Sequence, residues 1–192
     1  MRQTGILPDQ DISALFQSGA LKSPRALDAD QIQPASLDLR LGDKAFRVRA
    51  SFLPGPDHLV ADKLDRLKLH EINLADGAVL ETGCVYIVPL LESLALPANV
   101  SASANPKSST GRLDIFTRVM TDKIAAGYSG PLYLEVSPRT FPIVVRAGSR
   151  LSQIRFRTGN ALLSESELRE LHHGETLVAT EPPNISGGGI AL

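Results

Sequence analysis

The sequence predicts a mostly β domain: a distorted antiparallel β-barrel, sandwich or jelly roll with a short N-terminal helix and peripheral helices. Three observations predict it. Short apolar runs recur between turn residues from about residue 36 to residue 156. Several alternate apolar and polar positions, the period of a half-buried strand. They also follow one another too closely for the crossover helices of a doubly wound α/β sheet.

Each element has its own signal. Pro8 and Asp9 precede Ile12, Leu15 and Phe16, and Gly19 stands as a stop, so a short amphipathic helix is expected from Asp9 to Ser18. Ser36-Leu37-Asp38-Leu39-Arg40-Leu41-Gly42 alternates as a half-buried strand ending in a turn, and Ala45 to Arg49 alternates again. Residues 54 to 70 are polar and proline-containing, with a short helix expected around Asp62 to Leu67. Further strands are expected at Ala78 to Leu80, Cys84 to Pro89, Glu92 to Leu96 and Leu113 to Met120. Others follow at Leu132 to Val136, Ile143 to Val145 and Leu151 to Phe156, with turns at Asp76-Gly77, Thr82-Gly83, Gly127, Ser129-Gly130 and Ala147-Gly148.

The C-terminal part changes character. Ser164 to Leu171 reads as a capped surface helix in which Ser164 and Glu167 form a capping box. Pro182-Pro183 and Gly187-Gly188-Gly189 then lead to Ile190-Ala191-Leu192, which begins like another strand. The expected division is a β domain over residues 1–158 and a helix with a hinge or tail over 159–192. The apolar end either docks on a neighbouring subunit or leads into further chain.

Composition narrows the function classes. The chain has 192 residues, enough for one compact domain with a real core, and its 43% hydrophobic and 21% charged residues are ordinary for a soluble globular protein. A formal charge of −1 provides no global field toward nucleic acid or an anionic membrane, so an anionic ligand must be held by local groups. The single cysteine, Cys84, excludes a disulfide framework and a cysteine-based zinc site within one chain, and is expected as a buried thiol. No apolar stretch is long enough to span a bilayer and no signal-peptide core opens the chain, so a cytoplasmic location is expected.

Two segments gather chemistry. Lys107-Ser108-Ser109-Thr110-Gly111-Arg112 combines two cations, three hydroxyls and a glycine, which can either cradle an anion or make a solvated loop between strands. It lacks the glycine spacing of a Walker A loop. In the strand Leu132-Tyr133-Leu134-Glu135-Val136, alternation puts Tyr133 and Glu135 on the face opposite Leu132, Leu134 and Val136. Glu135 then lies either on a solvated face or in a cleft, where desolvation would suit it to proton transfer, and periodicity does not choose. His172-His173 is expected to interact with a helix C-terminus, and His58 and His70 carry no pattern.

The order and spacing of Lys107-Ser108-Ser109-Thr110-Gly111-Arg112-Leu113, Ile124, Gly127-Tyr128-Ser129-Gly130 and Glu135 resemble the dCTP deaminase signature. Ser36 to Gly42 is similar to that family's early strand, and Asp9-Gln10-Asp11-Ile12 with Gly19-Ala20-Leu21 to its first helix. Arg146-Ala147-Gly148 and Gln153 resemble a late segment shared with dUTPases, so the likeness covers roughly residues 9 to 156. It implies a dUTPase-like (β-clip) fold, a homotrimer with sites at subunit interfaces, and zinc-independent hydrolytic deamination of dCTP to dUTP and ammonia, on the route to dUMP and dTTP. Glu135 would be the general base and acid, Ser108 would hold the attacking water, and Arg112 would orient Glu135. Lys107 and Ser109 would contact the triphosphate with its Mg2+, and Gln153 would bind substrate. Backbone groups from Val119 to Thr121 would read the cytosine edge, and Tyr128 would pack against the deoxyribose.

The sequence also departs from the signature. Lys107 stands where arginine is usual, and Ala125-Ala126 replaces Asp-Pro. No match to the family's C-terminal lid follows residue 157. These departures favour one alternative, a non-catalytic nucleotide-binding or assembly domain taking dCTP or dTTP. A further alternative is a dUTP diphosphatase or bifunctional deaminase-diphosphatase, against which the resemblance counts the missing aspartate, the catalytic base near this position in dUTPases.

Overall fold

A computed structural model describes residues 4–55, 57–120, 123–160 and 162–177, with the backbone of 185–186 and 189–190. The chain forms two compact units, Met1–Gly159 and Asn160–Leu192. The first unit begins β1 (Gly5–Ile6), α1 (Asp9–Gln17), β2 (Leu21–Lys22), β3 (Ile32–Gln33), β4 (Ser36–Arg40), β5 (Lys44–Val48), α2 (Val60–Leu67) and β6 (Lys68–Asn73). It continues β7 (Ala78–Leu80), β8 (Val85–Ala95), β9 (Val100–Pro106), α3 (Ser108–Arg112), β10 (Ile115–Val119) and β11 (Lys123–Ile124). Then come β12 (Ser129–Pro138), β13 (Ile143–Val145) and β14 (Arg150–Thr158).

Two antiparallel sheets result. One has the order β11-β9-β14-β4-β3, with β1 also on β14; the other has the order β10-β12-β8-β5-β6, with β2 also on β8. A small β7–β13 pair stands apart. The expected mostly β class, with peripheral helices, is what the chain adopts.

The inner faces of both sheets share one core. Leu37, Leu39, Ile154 and Phe156 from the first sheet meet Tyr86, Val88, Leu134 and Val136 from the second, all essentially inaccessible. At about 25 cal/mol per Å2 of apolar surface removed from water, each large side chain here contributes roughly 1.5–3 kcal/mol. Helix α1 adds Ile12 and Leu15 to this core and ends before Gly19, whose φ of +76° costs glycine little.

The structure corrects several expectations. The strand at Ser36 is not half-buried: all five residues of β4 are buried, because its polar side chains find ionic partners inside. The runs at Cys84–Pro89 and Glu92–Leu96 form one strand, β8, of 11 residues. Pro89 does not break it. Its carbonyl accepts from the Gly42 N–H at 2.8 Å, and the pairing with β12 shifts register between Pro131 and Tyr133, the residue opposite Pro89. Strands β6 and β9 were not foreseen, since their sequences are polar or rich in small residues. The Lys107–Arg112 segment is not an open loop but winds into the single turn of α3. Cys84 is only half-buried and packs against the edge of the core.

The second unit holds α4 (Glu165–Gly174) and the paired strands β15 (Ile185–Ser186) and β16 (Gly189–Ile190). The capping box forms as expected: the Glu167 N–H donates to Ser164 Oγ at 3.3 Å, and the Ser164 N–H donates to Glu167 Oε2 at 2.7 Å. The Ser164 hydroxyl, which donates to Glu167 Oε2 at 2.6 Å, and the Ser164 backbone N–H hold the Glu167 carboxyl below the usual range. His172 is not a surface residue: it is buried, and its Nδ1 accepts from the Leu177 N–H at 3.3 Å. Of the expected terminal strand, Ala191 and Leu192 lie outside the described residues. No helix among the described residues is long and apolar enough to cross a membrane.

Candidate active site

On β12, Leu132, Leu134 and Val136 face the main core, so Tyr133 and Glu135 point to the outer face of the sheet. That face is not open. The connection from β5 to β6 runs across it as a strap, and α2 and Phe52 pack there with Val48, Ile87, Met120 and Tyr133 in a second apolar cluster. Leu64 of α2 is 6% exposed at its centre. The strap leaves Glu135 only 2% exposed.

Antiparallel register sets the first partner of Glu135. Arg118 on β10 lies directly opposite it, and Arg118 Nη2 donates to Glu135 Oε2 at 2.6 Å. The strap supplies the second: Ser51 Oγ donates to the same oxygen at 3.1 Å, and Arg118 Nη2 also lies 3.2 Å from Ser51 Oγ. Glu135 Oε1 accepts no hydrogen bond from the described residues, yet it is not among the fully occluded side-chain atoms that lack a partner. One oxygen is held and the other is reachable.

Two other acidic side chains are buried among the described residues, and they differ. Glu92 is saturated: Oε1 accepts from Arg40 Nε and Gln31 Nε2, both at 2.8 Å, and Oε2 accepts from the Arg40 backbone N–H at 2.8 Å. Asp38 Oδ2 accepts from Lys107 Nζ and lies 3.7 Å from Arg150 Nη1, while Oδ1 is fully occluded. Neither offers an oxygen that is both unbonded and open.

A cavity of about 330 Å3 lies beside Glu135 on the same side of the sheet. The strap residues Pro54, His58 and Leu59 face Val119, Tyr128 and Tyr133 across it. Its volume is within the range of small-ligand sites. Tyr133 is two positions from Glu135 on one face of β12, roughly 7 Å along the strand. Glu135 itself is not in the cavity wall. Burial pushes the Tyr128 hydroxyl's pKa up, and Tyr133 adds to the effect; the hydroxyl donates to the Pro131 carbonyl at 2.8 Å.

The remaining expected site residues collect elsewhere. Lys107 precedes α3 and is bound by Asp38 of β4. Gln153 on β14 sits opposite Asp38, and its Oε1 accepts from Ser36 Oγ at 3.1 Å. Ser108, Ser109 and Arg112 lie exposed on α3, and their side chains make no hydrogen bond or ion pair among the described residues. Thr121 lies outside the described residues. Within one chain the set therefore divides: Glu135 and Val119 on one sheet with Tyr128 just before β12, and Lys107, Ser108, Ser109, Arg112 and Gln153 at α3 and the other sheet. Sequence reasoning missed Ser51, Arg118 and His58. Only Arg118 left a trace, as a polar residue at an alternating position in a strand.

Fold and site together define an antiparallel β domain that holds one reachable carboxylate on a covered sheet face beside an apolar cavity. Residues 3–160 match the family model described as the 2'-deoxycytidine 5'-triphosphate deaminase (DCD) N-terminal domain. The chain belongs to the dCTP deaminase family.

It is 32% identical over 164 residues to a dCTP deaminase of Alteromonas mediterranea, covering 81% of this chain and 83% of that one. A dCTP deaminase of Pectobacterium atrosepticum is 32% identical over 159 residues, covering 78% and 82%. The crystal structure of 2'-deoxycytidine 5'-triphosphate deaminase from Agrobacterium tumefaciens superposes with a TM-score of 0.89 at 72% identity. That match covers 96% of this chain and 57% of the Agrobacterium chain, so this sequence spans little more than half of that protein's length.

Proposed function

We propose that this chain deaminates dCTP hydrolytically, giving dUTP and ammonia, with Glu135 moving the protons. The observation that carries the proposal is the state of Glu135. Among the described residues it is the one buried carboxylate with an unbonded oxygen left reachable. Family membership supplies the substrate class, because the relatives carry the name dCTP deaminase.

The chemistry balances without a redox partner. Water loses a proton to Glu135 Oε1 as its oxygen bonds to C4 of cytosine, and that proton passes to N3. The second proton of the former water passes through Glu135 to the amino group. The C4–N bond breaks, ammonia leaves, and a C4 carbonyl remains. A positioned acid–base group of this kind contributes about 10²–10⁴-fold. The neighbouring cavity takes the nucleoside, with Val119 at the base and Tyr128 at the deoxyribose.

Lys107, Ser109 and Gln153 serve the phosphates, and Ser108 and Arg112 serve the water and Glu135. These residues lie apart from Glu135 within one chain, so the proposal places them in the site of a neighbouring copy, in a cytoplasmic homotrimer. Among the described residues no three His, Cys, Asp or Glu side chains gather closely enough to hold a metal ion. In this reading magnesium accompanies the triphosphate as its counter-ion.

The test incubates the full chain with dCTP and Mg2+ and resolves the products by chromatography. Ammonia and dUTP should appear, and Glu135→Gln should lower kcat by at least about 10²-fold with the fold intact. Binding of dCTP or dTTP without ammonia release would replace this reading with a nucleotide-binding domain. Pyrophosphate release would point to a diphosphatase.

A further inference from the structure

We infer that Ser51 and Arg118 are positioning residues for the deamination: together they hold Glu135 Oε2 and so present Oε1 to the reacting water. The inference rests on the proposed role of Glu135. Nothing in the family likeness assigns either residue; it comes from the geometry around one oxygen.

Three contacts close a ring. Arg118 Nη2 donates to Oε2 at 2.6 Å, Ser51 Oγ donates to it at 3.1 Å, and Nη2 lies 3.2 Å from Ser51 Oγ. A carboxylate has two equivalent oxygens and turns freely about its last torsion, so an unheld glutamate would present either oxygen in many directions. Two donors on Oε2 remove that freedom. Because both are on one oxygen, the other keeps its lone pairs for water.

The two donors reach the site by different routes. Arg118 is fixed by strand register, opposite Glu135 on β10. Ser51 is fixed by the strap, anchored just beyond it by Phe52, Val60, Leu64 and Leu67 against the sheet. Formation of the apolar cluster is thus what brings the hydroxyl to the carboxylate. The strap also supplies Pro54, His58 and Leu59 to the cavity wall, so one segment shapes the cavity and orients the acid–base group. Glu92 gives the contrast: saturation of both its oxygens locks a carboxylate without leaving it a function.

The experiment compares wild type, Ser51→Ala, Ser51→Thr, Arg118→Gln, Arg118→Lys, the double variant Ser51→Ala/Arg118→Gln and Glu135→Gln. Steady-state kinetics use dCTP and Mg2+, and melting temperatures are recorded alongside. Ser51 is exposed on a connection, so its truncation leaves the fold standing. The expected result is a fall in kcat of about 10-fold for Ser51→Ala and about 10²-fold for Arg118→Gln, with KM within about threefold of wild type. Thr and Lys should restore part of each loss, since each returns a donor. The double variant should fall no further than Arg118→Gln, because both residues act through one oxygen.

The inference is overturned if Ser51→Ala and Arg118→Gln keep kcat within twofold while Glu135→Gln is inactive. A rise in KM at constant kcat overturns it as well, by making the pair substrate contacts. If wild type releases no ammonia, or Glu135→Gln retains activity, the proposed function fails first and takes this inference with it.

Discussion

At the scale of single residues, what separates the buried carboxylates is how their lone pairs are used. Glu92 is fully inaccessible and joins Arg40, itself 3% exposed, in a network closed by Gln31. Arg40 spends its other donors on Ala26 O and Ser23 Oγ, each at 2.8 Å, which ties the 23–31 segment to β4. Removing one charge from such a pair leaves the other buried and uncompensated, at a cost of about 3–5 kcal/mol. Glu92→Gln should therefore lower the unfolding free energy read from urea denaturation by an amount in that range, with little change in the slope. A loss under about 1 kcal/mol would show that the network is not needed for stability. Glu135 has the opposite economy of contacts, and its substitution should cost activity before it costs stability.

At the scale of elements, the connection between β4 and β5 approaches β8 closely. The Gly42 N–H donates to Pro89 O at 2.8 Å, and a Cβ at Gly42 would stand 2.7 Å from that carbonyl oxygen. The obstacle is backbone, so it cannot rotate away. Gly42→Ala should destabilise the first unit by about 1–3 kcal/mol, the usual range for overpacking, as read by thermal unfolding. Unchanged stability would mean that β8 can shift at Pro89 without loss. The strap is legible only in part. The helix at Val60–Leu67 has a recognisable pattern, but its target is the outer face of β12, β8 and β5. Alternation separates that face from the core but does not say whether it is solvated or covered, because periodicity describes a strand and not what a distant segment lays across it.

At the scale of the whole molecule, the expected site residues fall into two groups that one chain does not unite. The proposed neighbouring-copy arrangement makes a direct prediction. Chains carrying Glu135→Gln and chains carrying Ser108→Ala, each inactive alone, should recover activity when unfolded, mixed in equal amounts and refolded together. With random assembly, about one quarter of the sites pair an intact glutamate with an intact serine from a different chain. Recovery near that fraction is expected. None at all, with mixed oligomers demonstrated, would mean that each site is built within one chain.

The sequence by itself determined the mostly β class, the first helix, the capped C-terminal helix, the alternation that puts Glu135 opposite the core-facing residues of β12, and the family. All of these are written in local periods, caps and motif spacing. It did not determine that β4 is buried on both faces, that β8 runs through Pro89, or that Glu135 is covered. Tertiary structure alone decided those points, along with the pairing of Glu135 with Arg118 and Ser51. The physical reason is distance along the chain. Ser51 and Glu135 are 84 positions apart, Arg40 and Glu92 are 52 apart, and such partners are chosen by strand register and packing, which no short window of sequence records.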